Sequence, residues 1–171
     1  EGTILIAHGG SDPYNLTIKC LQALEKTNQV WQVYVLVTDA FQYLSQINKL
    51  AINSKHKCHV INNTTEVAKW MYKSSVAVIN GGNVRYELCL TGTPFIAISF
   101  QPSQYECTKQ IADLGAGVNL GLMNQISNLQ IAQSVENLIK DYINRLKMQN
   151  IMTNLFDFQG SNRILNLIME E

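Results

Sequence analysis

A continuous apolar segment that runs straight into a glycine turn is the feature that most limits how this chain can fold. Residues 76–79 read VAVI, and Asn80, Gly81 and Gly82 follow at once. Four consecutive apolar residues are typical of a parallel strand covered by helices on both faces. Gly81 and Gly82 predict a sharp turn with positive φ and a close approach to a ligand, and Asn83 predicts the N-cap of a helix.

The start of this predicted helix favours an anionic ligand that also carries hydroxyl groups. Unpaired N–H groups at a helix N-terminus bind anions such as phosphate. Glu87 lies one turn further along, where its carboxylate is placed to accept hydrogen bonds from two sugar hydroxyls. Together these features predict a nucleotide site. On the pattern alone two alternatives stay open: Glu87 as a solvated helix residue, and Gly81-Gly82 as a plain strand-to-helix turn.

Strand-like and helix-like segments alternate along the whole chain. We predict strands at residues 3–7, 33–37, 58–61, 76–79, 95–99 and 117–120, with helices between them and a helical remainder from residue 129. This alternation predicts an α/β fold: a doubly wound, Rossmann-like parallel sheet of about six strands with helices on both faces. Ligands of such folds bind at the carboxyl ends of the strands, where loops 8–12, 62–65 and 80–83 are expected to meet.

Composition limits the classes of partner. The chain has 171 residues, 46% of them hydrophobic, and a formal net charge of zero, so we expect one domain and no attraction to nucleic acid or an anionic membrane surface. No apolar run is long enough for a membrane span.

Because the sequence starts at Glu1, we expect a domain from a longer protein. Cys20, Cys58, Cys89 and Cys107 form no C-x-x-C pair, which predicts reduced thiols and a cytoplasmic protein.

The histidines allow other chemistry that the pattern does not favour. His8, at the end of the first strand, is either an acid or base or a hydrogen-bonded loop residue, and we favour the second because the sequence places no acid to orient it. His56-Lys57-Cys58-His59 invites comparison with a zinc site. Alternate residues of a strand point to opposite faces, however, so Cys58 and His59 cannot easily share one ion. We predict no metal and no cofactor.

The order of four motifs resembles a known family. HGGSDPYNLT follows the first strand, INNTTEVAKWM the third, INGGNVRYELCLTGTPFIAI contains the glycine turn, and PSQYECTKQIADLGAG follows the fifth strand. In this order they resemble the C-terminal half of GT-B nucleotide-sugar proteins. The likeness is closest to the UDP-sugar hydrolases of the pseudaminic acid pathway and the SpsG-like polysaccharide-biosynthesis proteins, and more distant to MurG-like glycosyltransferases. The segment FQGSNRI at residues 158–164 favours the hydrolase branch.

The resemblance implies which residues contact the ligand. The nucleotide-binding residues would be Gly10, Ser11, Asn62, Asn63, Thr64, Gly81, Gly82, Asn83 and Glu87, and the sugar-facing residues would be Ser103 and Gln104. In this scheme Glu87 accepts the ribose hydroxyls, the glycine loops approach the diphosphate, and loop 62–64 holds the uracil edge. Ser103 departs from the family, whose members carry Asn there, so the identity of the sugar does not carry over.

The resemblance also implies a two-domain protein. Residues 1–171 would be a single nucleotide-sugar-binding domain, the C-terminal half, while the family's proposed catalytic histidine lies in an N-terminal domain that nothing here matches. The expected function is to bind the UDP part of a UDP-sugar within a UDP-sugar hydrolase of surface polysaccharide or nonulosonic acid biosynthesis, and this half alone is expected to be inactive. Two alternatives remain: the donor-binding domain of a glycosyltransferase, and a non-catalytic nucleotide-binding or interaction domain.

Overall fold

Strands and helices alternate through the first two thirds of the protein. The computed structural model describes residues 2–169. The elements are β1 (Thr3–Ala7), α1 (Leu16–Leu24), β2 (Gln32–Val37), α2 (Leu44–Ile52), β3 (Lys57–Asn62), α3 (Val67–Tyr72), β4 (Val76–Asn80), α4 (Val84–Thr91), β5 (Phe95–Ser99), α5 (Pro102–Asp113), β6 (Val118–Leu122), α6 (Asn128–Lys140), α7 (Tyr142–Leu155) and α8 (Gly160–Met169).

The six strands form one parallel sheet in the order β3-β2-β1-β4-β5-β6. Every residue of β4 and β5 is buried. Because successive side chains of a strand point to opposite faces, helices must cover both faces of the sheet. The predicted doubly wound Rossmann-like fold is therefore confirmed.

The sheet has its switch point between β1 and β4. These strands are neighbours, with Ile6 paired to Val78, although about seventy residues separate them along the chain. From β1 the chain builds one half of the sheet outward to β3, and from β4 it builds the other half outward to β6. The loops that follow β1 and β4 therefore leave the same edge of the sheet side by side, as a doubly wound fold requires.

Most element bounds agree with the sequence, and the differences have local causes. The helix α5 begins at Pro102, because proline is well suited to the first turn of a helix. Met148 and Met152 of α7 are buried, whereas Leu155 at the end of the helix is 53% exposed.

The last helix stands apart from the core. No residue of α8 is buried, although it carries several apolar side chains. Within residues 2–169, no helix combines the length and apolar character needed to cross a bilayer.

Candidate functional site

A cavity of about 400 Å³ opens at the carboxyl ends of β1, β2 and β4. Its volume lies within the roughly 300–1,000 Å³ typical of small-molecule sites. We call it the switch-point cavity; it is lined by Ala7, Gly9, Gly10, Leu36, Val37, Thr38, Thr64, Val67, Asn80, Gly82, Asn83, Val84 and Glu87.

The loop after β1 forms one wall of the cavity. Gly9 has a φ of 81°, a conformation that favours glycine, and the Thr38 hydroxyl donates to the carbonyl of Gly10. Asp12 fixes the far side of the loop, because its carboxylate accepts hydrogen bonds from the first N–H groups of α1, at Leu16 (2.9 Å) and Thr17 (2.8 Å). Gly10 lines the cavity, whereas the exposed Ser11 lies outside its lining.

The turn before α4 is built differently from the prediction. The predicted positive φ at Gly81 and Gly82 is wrong, since neither is among the residues with positive φ. Both positions instead require a small residue: a Cβ on Gly81 would lie 2.6 Å from Ser99 Oγ, and one on Gly82 would lie 2.8 Å from Asn80 Oδ1. Asn83 holds the N-cap position, but its side chain makes no capping hydrogen bond, so that part of the prediction is also wrong.

Asn80 supplies the side chain that holds this turn. Its Oδ1 accepts the N–H of Gly82 at 3.0 Å, and its Nδ2 donates to the backbone carbonyl of His8 at 3.0 Å. The His8 ring is buried with Nδ1 3.0 Å from Thr17 Oγ1, which confirms a hydrogen-bonded residue. Burial lowers the pKa of His8 to about 4, although the nearby Asp12 carboxylate acts in the opposite direction.

The loop after β3 is tied to the loop after β2 by Asp39. One carboxylate oxygen accepts the amide of Asn62 (2.7 Å) and the other that of Asn63 (2.6 Å), and these bonds, Asn62 first, lower the pKa of Asp39. The Asp39 N–H donates back to Asn63 Oδ1. Thr64 lines the cavity, while its hydroxyl accepts the N–H of Glu66 and so holds the start of α3. Neither Asn62 nor Asn63 is part of the lining.

Glu87 lines the cavity, whereas the predicted sugar-facing pair lies outside its lining. Glu87 is exposed and lines the cavity one turn into the helix. Gln104 lies behind the turn. Its Cβ would be 2.8 Å from a Cβ added to Gly81, and its Oε1 accepts the N–H of Phe100 at 3.0 Å. Ser103 is exposed in the first turn of α5. Neither Ser103 nor Gln104 contributes to the cavity lining.

Several lining residues were missed by sequence reasoning. Leu36, Val37 and Val67 give the cavity an apolar wall, which suits the face of a flat ring. For Leu36 and Val37 the signal was present, because β2 ends in apolar residues at the carboxyl edge of the sheet, where ligands of such folds bind. Val67 is the first residue of α3, and its apolar character alone did not mark it as a lining residue. Asp39 and Asn80 gave no such signal, since their partners are far away in sequence.

The two histidines of segment 56–59, which was compared with a zinc site, pack against aromatic side chains. His56 is buried and its ring stacks on Trp31. Its Nδ1 accepts the backbone N–H of Trp31, and its Nε2 lies 2.9 Å from the backbone carbonyl oxygen of Leu24. His59 packs against Tyr34. Within the described residues no group of three or more potential metal ligands comes together.

Comparison with known proteins finds one curated relative that aligns with nearly the whole chain. No family model matches the chain. It is 26% identical over 168 residues to the spore coat polysaccharide biosynthesis protein SpsG of Bacillus subtilis, a match that covers 98% of this chain and 50% of SpsG. The chain thus spans about half the length of this curated relative.

Solved structures show the same fold at low identity. MurG of Acinetobacter baumannii superposes with a TM-score of 0.83 at 14% identity, covering 99% of this chain and 52% of MurG. The spinosyn rhamnosyltransferase SpnG complexed with thymidine diphosphate gives a TM-score of 0.71 at 14% identity, covering 96% of this chain and 45% of SpnG. With its six-stranded parallel sheet and these superpositions, the chain has the fold of a GT-B C-terminal-like domain.

Proposed function

We propose that this chain binds the UDP part of a nucleotide sugar, as the C-terminal half of a GT-B enzyme in surface polysaccharide or nonulosonic acid biosynthesis. The observation that carries the proposal is the meeting of the Gly9-Gly10 loop, the start of α4 and Glu87 around one cavity. Backbone N–H groups at a helix start suit a diphosphate, and a nearby carboxylate suits the ribose hydroxyls. An apolar wall suits the base.

In this proposal each side of the cavity binds one part of the ligand. The diphosphate lies between Gly10 and the Gly82-Asn83 turn. Glu87 accepts the ribose hydroxyls, and loop 62–64 contributes backbone groups to the edge of the uracil, with Asp39 holding that loop in place. Positive charge at the start of α4 also favours UDP as a leaving group, because charge develops on its phosphate as the bond to the sugar breaks.

The relatives support a nucleoside diphosphate and leave two reaction types. SpsG is named for spore coat polysaccharide biosynthesis, and SpnG is described in complex with thymidine diphosphate. The loop motifs favour a UDP-sugar hydrolase. The fold shared with MurG and SpnG favours a second candidate, the donor-binding domain of a glycosyltransferase. A non-catalytic nucleotide-binding or interaction domain is the third alternative.

We also propose that the protein is cytoplasmic, because its four cysteines are unpaired.

The proposed partner is an N-terminal domain of the same protein, which would supply the catalytic group. Two observations support this. The chain aligns with only half of SpsG. In addition, α8 exposes Ile164 (62%), Leu165 (54%) and Ile168 (66%), an apolar surface suited to packing against another domain. On this basis the half described here binds ligand and is inactive alone.

A thermal-shift titration tests the nucleotide proposal directly. UDP is expected to raise the melting temperature in a concentration-dependent way, because a ligand that binds only the folded state stabilises it by mass action. ADP and CMP serve as controls, and TDP, which carries a 5-methyl group and lacks the 2′-hydroxyl, tests the base and ribose contacts together. Equal stabilisation by UDP and ADP would remove the uracil assignment. No stabilisation by any of them would reject nucleotide binding by this chain.

A further inference from the structure

Arg85 is a buried cation directly behind the turn that precedes α4. It is 6% exposed. Its Nη1 donates to the backbone carbonyls of Gly81 and Gly82, the second at 2.8 Å, and its Nη2 donates to the Tyr86 hydroxyl at 3.1 Å. The guanidinium carbon lies 4.4 Å from the centre of the Tyr86 ring. The Nε is buried and has no hydrogen-bond partner among the described residues.

The charge of Arg85 has no protein counter-ion in the described part of the chain. The ion pairs found there are Lys69–Glu66, Lys109–Asp113, Lys140–Glu136 and Arg163–Asp157. The dipole of α4 adds further positive charge at the same place, because Arg85 lies in the first turn of the helix. A buried cation beside a positive helix end is unfavourable unless an anion offsets both.

The peptide geometry shows where such an anion would lie. In a trans peptide the C=O and N–H groups point in opposite directions. Because Arg85 binds the carbonyl of Gly82, the N–H of Asn83 points away from the guanidinium. Gly82 and Asn83 line the switch-point cavity, whereas Arg85 does not. Arg85 therefore holds the turn from behind, and the N–H group at its front is left to the cavity.

We propose that Arg85 is a positioning residue for the diphosphate of the ligand: it fixes the Gly81 and Gly82 carbonyls so that the N–H of Asn83 points at the phosphates, and its charge is offset when they bind. The inference rests on the proposed function and adds a residue that the cavity lining does not contain. It also specifies which part of the ligand is affected: Arg85 must change the affinity for the phosphates and not the affinity for the nucleoside. Glu87 lies on the cavity side of the same helix. Its carboxylate would repel the phosphates, so it must instead accept hydrogen bonds from the ribose hydroxyls.

Arg145 offers a matched comparison elsewhere in the chain. It also donates to two successive carbonyls, those of Leu138 and Ile139, and it also lies over a tyrosine ring, with 5.7 Å between its guanidinium carbon and the centre of Tyr142. These carbonyls, however, belong to the last turn of α6, where the dipole attracts a cation. Arg145 lines a separate cavity of about 260 Å³ at the amino ends of β4 and β5. Its charge is therefore offset without a ligand.

The test measures binding of three probes by calorimetry to wild type, Arg85→Gln, Arg85→Lys and Arg145→Gln. The probes are UDP, inorganic pyrophosphate and uridine. Arg85→Gln is expected to weaken UDP and pyrophosphate by about tenfold or more and to leave uridine within about twofold. Arg85→Lys keeps the charge but not the planar fork, so its loss for UDP is expected to be smaller, about threefold. Arg145→Gln is expected to leave all three within about twofold.

Each remaining outcome overturns the inference or separates it from the proposed function. Equal losses for UDP and uridine on Arg85→Gln would show a purely structural residue and overturn it, as would unchanged binding of UDP. If Arg85→Gln fails to fold, Arg85→Lys decides: unchanged UDP affinity overturns the inference, and a loss confined to the phosphate-bearing probes supports it. Wild type that binds pyrophosphate but not UDP rejects the proposed function alone. Wild type that binds neither overturns both.

Discussion

The side-chain amide of Asn80 donates a 3.0 Å hydrogen bond to the backbone carbonyl of His8, and this bond joins the carboxyl ends of the two central strands. The same side chain accepts the N–H of Gly82. One buried residue at the end of β4 therefore sets both the spacing between two loops and the direction of the turn before α4. Two walls of the switch-point cavity depend on it.

Asn80→Asp tests this role because it keeps the shape and the acceptor but removes the donor. A buried carboxylate would then face the His8 carbonyl, and we expect the free energy of unfolding to fall by about 1–3 kcal/mol in urea denaturation. Affinity for UDP is expected to fall as well, because the two loops separate.

Asn119→Asp is the matched control for this substitution. Asn119 also accepts the N–H of the residue two positions on, Gly121 at 3.2 Å, and donates to a distant carbonyl, that of Tyr105 at 3.3 Å. It lies on the edge strand β6, half-buried and outside the cavity lining. We expect a smaller loss of stability and unchanged UDP affinity. Equal effects of the two substitutions on affinity would contradict the role of Asn80 in shaping the site.

Glu87→Ala is expected to weaken UDP by about tenfold, the size of a lost charge-assisted hydrogen bond to the ribose, as measured by calorimetry. The stability of the unliganded protein is expected to stay unchanged, since Glu87 is exposed. Glu106→Ala, which removes an exposed glutamate of α5 outside the cavity, serves as the control and is expected to leave affinity unchanged. 2′,3′-Dideoxy-UDP should bind wild type and Glu87→Ala alike. A wild-type preference for UDP that survives in Glu87→Ala would place the ribose elsewhere.

The two glycine turns respond differently to alanine. A Cβ on Gly81 would lie 2.6 Å from Ser99 Oγ and 2.8 Å from Gln104 Cβ, so Gly81→Ala is expected to lower the free energy of unfolding by about 1–3 kcal/mol. A Cβ on Gly10 meets nothing within 4 Å, and its φ is not positive. Gly10→Ala is therefore expected to leave the melting temperature unchanged and to weaken UDP, because the methyl group enters the cavity. Unchanged affinity in Gly10→Ala would move the diphosphate away from this loop.

The sequence predicted what depends on local pattern and missed what depends on strand order. The apolar run of β4, the glycine turn and the start of α4 follow from neighbouring residues, and the alternation of elements is sufficient for the parallel sheet. The bonds from Asn80 to His8 and from Asn62 to Asp39 require that β4 lies beside β1 and β3 beside β2. Nothing local marks Arg85 as buried, because an arginine in a first turn is normally solvated.

His8 is expected to make the protein less stable in mild acid. Burial lowers its folded pKa to about 4, while the unfolded residue has an ordinary pKa near 6.5. Between these values the unfolded chain binds a proton that the folded chain does not, so stability falls as the pH drops from about 6.5 to about 4 and this contribution then levels off. The full effect is about 3 kcal/mol, from the difference between the two pKa values.

Urea denaturation of wild type, His8→Asn and His59→Asn at a series of pH values measures this contribution. His8→Asn is expected to flatten the slope above pH 4, and His59→Asn, which changes an exposed histidine, to retain it. Hydrogen bonds hold the pKa of Asp39 and Asp157 below the ordinary range, so these groups reduce stability mainly at lower pH. A slope that persists in His8→Asn would assign the acid sensitivity to another group.

Because the apolar side of α8 is exposed, we expect one substitution there to change stability differently in this chain and in the longer protein proposed for it. Ile168 is 66% exposed, so Ile168→Asp is expected to change the free energy of unfolding of residues 1–171 by less than about 0.5 kcal/mol. In a longer protein that includes the proposed N-terminal domain, the same substitution would bury a charge against an apolar surface and lower stability by more than about 1 kcal/mol. Asn166→Asp, on the polar side of α8, is expected to have no effect in either. Equal effects of Ile168→Asp in the two proteins would show that α8 does not pack against the added domain.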